Sequence, residues 1–360
     1  MTSLAEPLAG STAIAAPAHA KAPRQHIEIK RAVARFQAPV LWRSLVQVAT
    51  SFGGFFATCA AMYLSLEVSV WLALALAPLA AGFVVRIFII QHDCGHHAFF
   101  RSRGATAVLG WACSLLTLTP FLSWRRQHKG HHTIWNNLDR RQSGVDIYST
   151  CLTVAEYQAL TPGARRRYRL ARHPLVANLL LPPLVFFVLY RLPFDMPRTW
   201  RRERWGVLFT NLALAALFVG LGLLLGWGSV LLVQAPVMAL AAIVGVALFS
   251  LQHRGEAVQW LRRDEWDPAV ASLQGSTFLK LPGLLRWFTG NIGFHHVHHL
   301  NARVPNYRLK RTHETIAPVL PAVPTLSLWS GLKSLRYGLW DEARRRMVTF
   351  REAGRMAAAA

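Results

Sequence analysis

The sequence is short of acid. Forty Lys and Arg stand against 17 Asp and Glu, giving a formal net charge of +23 and a pI near 11.3. Charge of either sign is scarce, at 16% of 360 residues, where a soluble domain carries about 25%. That deficit argues against an ordinary soluble globule, and 53% hydrophobic residues exclude a disordered chain. Only four cysteines occur (Cys59, Cys94, Cys113, Cys151), with no CxxC pair, so neither a disulfide scaffold nor a thiolate zinc site is indicated. A GxGxxG turn opening a helix after a strand is missing too. The nearest pattern, Gly220-x-Gly222, lies inside an apolar run and reads as helix packing. The N-terminal MTSLAEPLAGSTAIAAPAHA has no basic n-region and contains Glu6, so it reads as a tail rather than a signal peptide. So basic a chain suits nucleic acid or an anionic membrane surface. With 13 Trp, long uncharged runs and no nucleic-acid recognition motif, the membrane fits better.

Long apolar runs take the place of charge. A bilayer-spanning helix needs about 20 apolar residues. Ser44 to Leu66 carries no charge, and Val68 to Ile90 carries only Arg86, near enough to its end to snorkel. Val207 to Gln252 is also uncharged, and Gly226-Trp227-Gly228-Ser229 divides it. Spans are therefore expected at 44–66, 68–90, 207–227 and 229–252. Residues 105–122 are short, and residues 174–189 are broken by Pro182-Pro183, so both read as interfacial or re-entrant. The expected fold is an all-α integral membrane protein. Four transmembrane helices in two hairpins, with interfacial helices, would carry a cytoplasmic helical cap. The expected division is a flexible basic N-terminal tail (1–40), a membrane domain (41–325) and a basic C-terminal tail (326–360). The hairpin tips hold no Lys or Arg, whereas Arg125, Arg126, Arg140, Arg141, Arg165–Arg167, Arg262 and Arg263 crowd the other segments. The positive-inside rule then puts both termini and the middle segment on the cytoplasmic side of the inner (plasma) membrane.

Histidine carries the chemistry. Of 15 His, 11 fall in four tight groups: QHDCGHH after the second run, QHKGHH, LQHRG at the end of the fourth, and FHHVHHL. His92 and His96 are spaced i, i+4. The triplets His128/His131/His132 and His295/His298/His299 are spaced i, i+3, i+4, so each would share one helix face. With His253, nine imidazoles are too many for one ion, since zinc takes four ligands and an octahedral site six. Two metals sharing the set fit, and neutral nitrogen donors suit iron, copper, nickel or zinc. His97 and His296, beside these positions, read as packing or supporting residues, and His313 as structural.

The segments HDCGHHAFF, HKGHHTIWNNLDRR, LTVAEY and LQGSTFLKLPGLLRWFTGNIGFHHVHHLNARVPNYRL resemble the membrane fatty-acid desaturases, specifically their bacterial and cyanobacterial acyl-lipid branch of Δ12-type enzymes. The resemblance runs from about residue 45 to about residue 315. It implies two iron ions held by His92, His96, His128, His131, His132, His253, His295, His298 and His299. It also implies O2 as co-substrate, a membrane-lipid acyl chain as substrate and a cis double bond as product. Some relatives carry an Asn one helical turn before the lone histidine; here that position is Phe249, and Asn291 is a weak candidate to substitute for it. Asp93 and Asp267 are candidate carboxylates for orienting imidazole N–H groups. No electron-carrying domain is legible, so a separate carrier is expected, such as an acidic ferredoxin with its reductase, steered by the basic face. A related di-iron hydroxylase or ketolase is the alternative. A metal transporter is disfavoured, because transporters place ligands near the bilayer midplane and these histidines gather at or beyond the span ends.

Overall fold

The structure, a computed structural model, describes residues 22–141 and 151–359. The first 21 residues of the expected N-terminal tail lie outside it. The next stretch is helical: α1 (Ala22–Ala34) buries Ile29 and Val33, one turn apart, in a cluster with Ile292, Phe294 and Val297 around the last histidine motif. That part of the expected tail is a packed element.

Among the described residues, four helices are long and apolar enough to cross a membrane: α2 (Leu41–Leu66), α3 (Val70–Gly95), α9 (Arg201–Leu225) and α10 (Trp227–Gln252). Ser69 starts α3 by accepting the Trp71 N–H, satisfying one of the donors a helix start leaves open. Ala73, Ala77, Ala80 and Ala81 form a buried small-residue face on α3, which lets neighbouring backbones approach closely. Helix α3 is the hub and packs against α2, α10 and α4 (Arg103–Thr117). Gly226, at φ +81°, joins α9 to α10 in a backbone conformation that only glycine adopts freely. Leu208, Phe209, Leu212, Leu223 and Leu224 face outward on α9, an apolar surface that lipid rather than water would cover.

Two of these helices run past their apolar stretches. Helix α3 continues to Gly95, so its last turn carries His92, and α9 begins at Arg201, with four charged residues before its apolar part. Helix α4 and α5 (Phe121–Ile134) meet at 101°, with Leu118 in the left-handed region between them. This bent pair and the later one of 162–171 with 176–191 (51°) have the geometry of either a broken span or a re-entrant loop. The intervening elements are β1 (Leu152–Thr153), α6 (Val154–Ala159), α7 (Pro162–Ala171) and α8 (Leu181–Phe187).

Beyond α10 come α11 (Pro268–Gln274), β2 (Phe278–Lys280), α12 (Gly283–Phe288), α13 (His295–Leu300) and α14 (Asn306–Ile316). Next in the chain are β3 (Thr325–Ser327), α15 (Leu328–Ser334), β4 (Tyr337–Asp341), β5 (Arg346–Thr349) and α16 (Phe350–Ala359). The fold is thus mostly helical but not all-α. Strand β4 pairs in parallel with β1 and antiparallel with β5, and β2 pairs in parallel with β3. The segment expected as a basic C-terminal tail is therefore folded. Leu339, Trp340, Met347 and Val348 are buried, and a fully buried apolar side chain contributes roughly 1.5–3 kcal/mol. Two of its cations pair with acids outside it: Arg345 with Glu265 at 3.0 Å, and Arg346 with Glu256 at 2.9 Å.

Candidate metal centre

Among the described residues, ligand-type side chains form two groups. One is His92, His96, His128, His132 and His298; the other is His131, His253, His295 and His299, with the atoms of each group within 4.8 Å of one another. The division splits both triplets in the same way. Residues i and i+4 on one helix share a group: His92 with His96 at the end of α3, His128 with His132 on α5, His295 with His299 on α13. The i+3 member of each triplet, His131 or His298, goes to the other group. His253 caps α10. The two groups touch, with the rings of His132 and His299 stacked 4.3 Å apart.

Ring nitrogens converge. His253 Nε2 lies 3.1 Å from His131 Nε2 and 2.9 Å from His295 Nε2, and His298 Nε2 lies 3.0 Å from His132 Nε2. A neutral imidazole has one N–H, so these atoms cannot all be donors to one another. His96 Nε2 is buried with no partner among the described residues. Burial, reinforced by neighbouring imidazoles, holds His96, His128, His132, His253, His295, His298 and His299 well below the usual imidazole range. The rings are neutral at pH 7, the form that binds a metal. Converging neutral nitrogens with an orphaned lone pair are what a cation would satisfy, and imidazole donors suit iron, copper, nickel or zinc.

The surroundings fix the rings. Asp93, 1% exposed, sets Oδ1 3.2 Å from His92 Nδ1, while its Oδ2 accepts from the Asn306 backbone N–H (2.7 Å) and side-chain amide (2.8 Å). Gln47 and Asn306 exchange two amide hydrogen bonds behind it. Trp124 stacks on His128 at 4.7 Å. Sequence reasoning missed Gln47 and Asn306. An isolated Gln in an uncharged run, and the PNYRL segment itself, were the available signals. Asp267 has a different place: it caps α11 by accepting from Ala269 and Val270 N–H. Asn291 donates to the Asn306 carbonyl instead of facing the groups, whereas the Phe249 ring stands 5.2 Å from both His131 and His253.

Neither His97 nor His296 joins the groups. After α3 the Ala98 N–H bonds to the Asp93 carbonyl and the His97 N–H to that of Cys94, a Schellman ending with His97 at φ 55° where glycine is usual. This turn points His97 at Arg125, 2.6 Å away. His296 faces the opposite side of α13 from the groups and pairs with His313 at 2.9 Å, so His313 is structural.

An apolar cavity of about 180 Å³ opens onto the centre, lined by His92, His128, His131 and His295 together with Trp124, Phe249, Val84 and Met238. A second cavity, of about 570 Å³, shares Leu118, Phe186 and Met238 with it and extends between α8, α9 and α10 to Trp227. A mostly apolar slot, with Asp195 and Arg191 as the charged residues on its walls, leads from the converging imidazoles into the helix bundle and suits a hydrocarbon chain.

The sequence profile of the fatty acid desaturase family matches residues 69–329. The chain is 43% identical over 324 residues to a fatty acid desaturase of Bacillus subtilis (strain 168), covering 90% of each chain. Over 248 residues it is 30% identical to an sn-1 acyl-lipid omega-3 desaturase (ferredoxin) of Synechocystis, covering 65% of this chain and 64% of that one. Over 233 residues it is 28% identical to an sn-1 oleoyl-lipid 12-desaturase of Picosynechococcus, covering 64% of each. Four apolar spans, the buried histidines beside a hydrocarbon-shaped cavity and these matches lead to one conclusion: the chain belongs to the fatty acid desaturase family, and it is a fatty-acid-desaturating enzyme of the membrane.

Proposed function

We propose that the chain desaturates the acyl chain of a membrane lipid at a di-iron centre, with Δ12-type regiochemistry. The observation that carries this reading is the pair of histidine groups at the head of a continuous apolar slot. His92, His96, His128, His132 and His298 would hold one iron, and His131, His253, His295 and His299 the other. Iron with O2 supplies an oxidant strong enough to take hydrogen from an unactivated methylene, which no side chain can do. The protein's own residues do the rest. Asp93 holds the His92 tautomer through its Nδ1. Trp124 and Phe249 press the acyl chain against the imidazoles, and Val84, Val85, Met238 and Val246 exclude water along it.

The two hairpin tips, which hold no Lys or Arg, lie at the helix ends opposite the histidines, so the centre and both termini would face the cytoplasm of the inner membrane. Electrons would come from a small acidic carrier such as ferredoxin, drawn by the basic cap; the Synechocystis relative's name includes that donor. The test is a fatty-acid profile by gas chromatography–mass spectrometry in a bacterial host that makes only monounsaturated lipids, with ferredoxin and its reductase supplied. A new diene, absent from a His131→Ala variant, is expected, and its bond position reads the regiochemistry. A hydroxylated chain would establish the hydroxylase alternative, and an unchanged profile from iron-loaded protein would contradict the lipid substrate.

A further inference from the structure

One wall of the centre is built from indoles that line neither cavity. Trp135, which ends α5, has its ring 4.0 Å from that of His253 and 5.0 Å from that of His131. The Trp260 ring lies 5.0 Å beyond Trp135. Trp135 and Trp260 share one buried cluster with Trp340 and Met347 of the β4–β5 hairpin, and partly buried Tyr337 packs against that cluster. The Tyr337 hydroxyl donates to exposed Glu256 at 2.9 Å. A contiguous aromatic path thus leads from a histidine group to solvent, through the segment that reads as a tail in the sequence.

Packing alone does not explain the residue choice. The Trp260 indole N–H is buried with no partner among the described residues, and an unsatisfied buried donor costs about 1–3 kcal/mol. Phe would fill most of the same space without that cost. Indoles and phenols, however, are the side chains most readily oxidised by one electron, and rings in contact exchange electrons easily. A centre that activates O2 for attack on a methylene threatens its own histidines whenever O2 is reduced with no acyl chain in the cavity.

We propose that Trp135, Trp260 and Tyr337 form a relay that carries stray oxidising equivalents from the histidine centre to the surface, an inference that rests on the iron and O2 chemistry proposed above. With iron and O2 bound, Trp135 would give up one electron to the oxidant formed there, which would take its proton from water. Trp260 refills Trp135, and Tyr337 refills Trp260, passing its phenolic proton to Glu256. A thiol or ascorbate outside returns a hydrogen atom to Tyr337, and Glu256 releases its proton to water.

The experiment uses the iron-loaded full chain in nanodiscs of short saturated lipid, cycled with reduced ferredoxin and O2 in the presence of a nitroso spin trap. Adducts and oxidised residues are mapped by peptide mass spectrometry. Wild type is expected to be labelled at Tyr337. Trp260→Phe should lower that label at least tenfold and raise oxidation of His253 and Trp135. Tyr337→Phe, which removes one hydroxyl and keeps the ring, should move the label inward to Trp260 or Trp340. Both variants should retain wild-type desaturation within twofold when substrate is present. Equal Tyr337 labelling in wild type and Trp260→Phe would overturn the relay, as would histidine oxidation in wild type with no aromatic adduct. A wild type that forms no double bond with substrate present overturns the proposed function instead.

Discussion

Asp93→Asn is a change of one atom with a calculable result. The carboxylate is buried and accepts on both oxygens: Oδ1 faces His92 Nδ1 at 3.2 Å, and Oδ2 takes two N–H groups of Asn306 at 2.7 and 2.8 Å. An amide has one acceptor oxygen and cannot serve both sides. If its oxygen turns to Asn306, its NH2 meets His92 Nδ1. That nitrogen must then accept, which moves the ring proton to Nε2 and removes the lone pair that points into the group. If its oxygen turns to His92, the NH2 opposes two buried donors of Asn306, a loss of about 1–3 kcal/mol. Disturbing a partner that orients a metal-bound histidine costs roughly 10–100-fold in metal affinity, or about 1.4–2.8 kcal/mol. The assay is iron retained by purified protein against rising chelator, with the melting temperature of metal-free protein as the control for folding. The chelator midpoint should fall by that factor. A midpoint equal to wild type in a folded variant would refute the claim that Asp93 sets the His92 tautomer.

The geometry sets three further outcomes. His97→Gly should keep full iron and melt at or slightly above wild type, because glycine removes a left-handed strain of about 1–2 kcal/mol at the end of α3; iron loss on inductively coupled plasma mass spectrometry would make His97 a ligand. A Cβ on Gly293 would meet the Leu279 carbonyl oxygen at 2.4 Å, just before His295, so Gly293→Ala should lower iron content and melting temperature, whereas Gly53→Ala, with open space around it, should change neither. Met238→Trp, at the junction of the two cavities, should abolish the diene in the lipid profile while leaving the iron count unchanged; normal diene formation would place the acyl chain elsewhere.

Much of this was legible in the sequence because it depends on local spacing. Uncharged runs located the four spans, and i, i+4 pairs gathered imidazoles on single helix faces. How two triplets divide between two groups is set by the crossing of α3, α5, α10 and α13, which no local pattern encodes. Helix ends misled in another way. Charges bound a membrane run but not a helix, so α3 and α9 extend beyond the apolar stretches they contain. The folded C-terminal segment was hidden because its strands are only five and four residues long. Arg345 and Arg346 look unpaired until Glu265 and Glu256, far away in sequence, come alongside. Asp93 and Asp267 looked alike as isolated carboxylates near histidine motifs; only the fold separates one that holds His92 from one that caps a helix.

A pair of irons held by imidazole alone is the central claim, and it is tested most directly by metal analysis joined to iron K-edge absorption on the purified protein. Two irons per chain are expected, with a first shell of nitrogen and light oxygen atoms. His96→Ala and His295→Ala, each drawn from a different group, should both lose iron. One metal per chain, zinc in place of iron, or full occupancy after either substitution would contradict it.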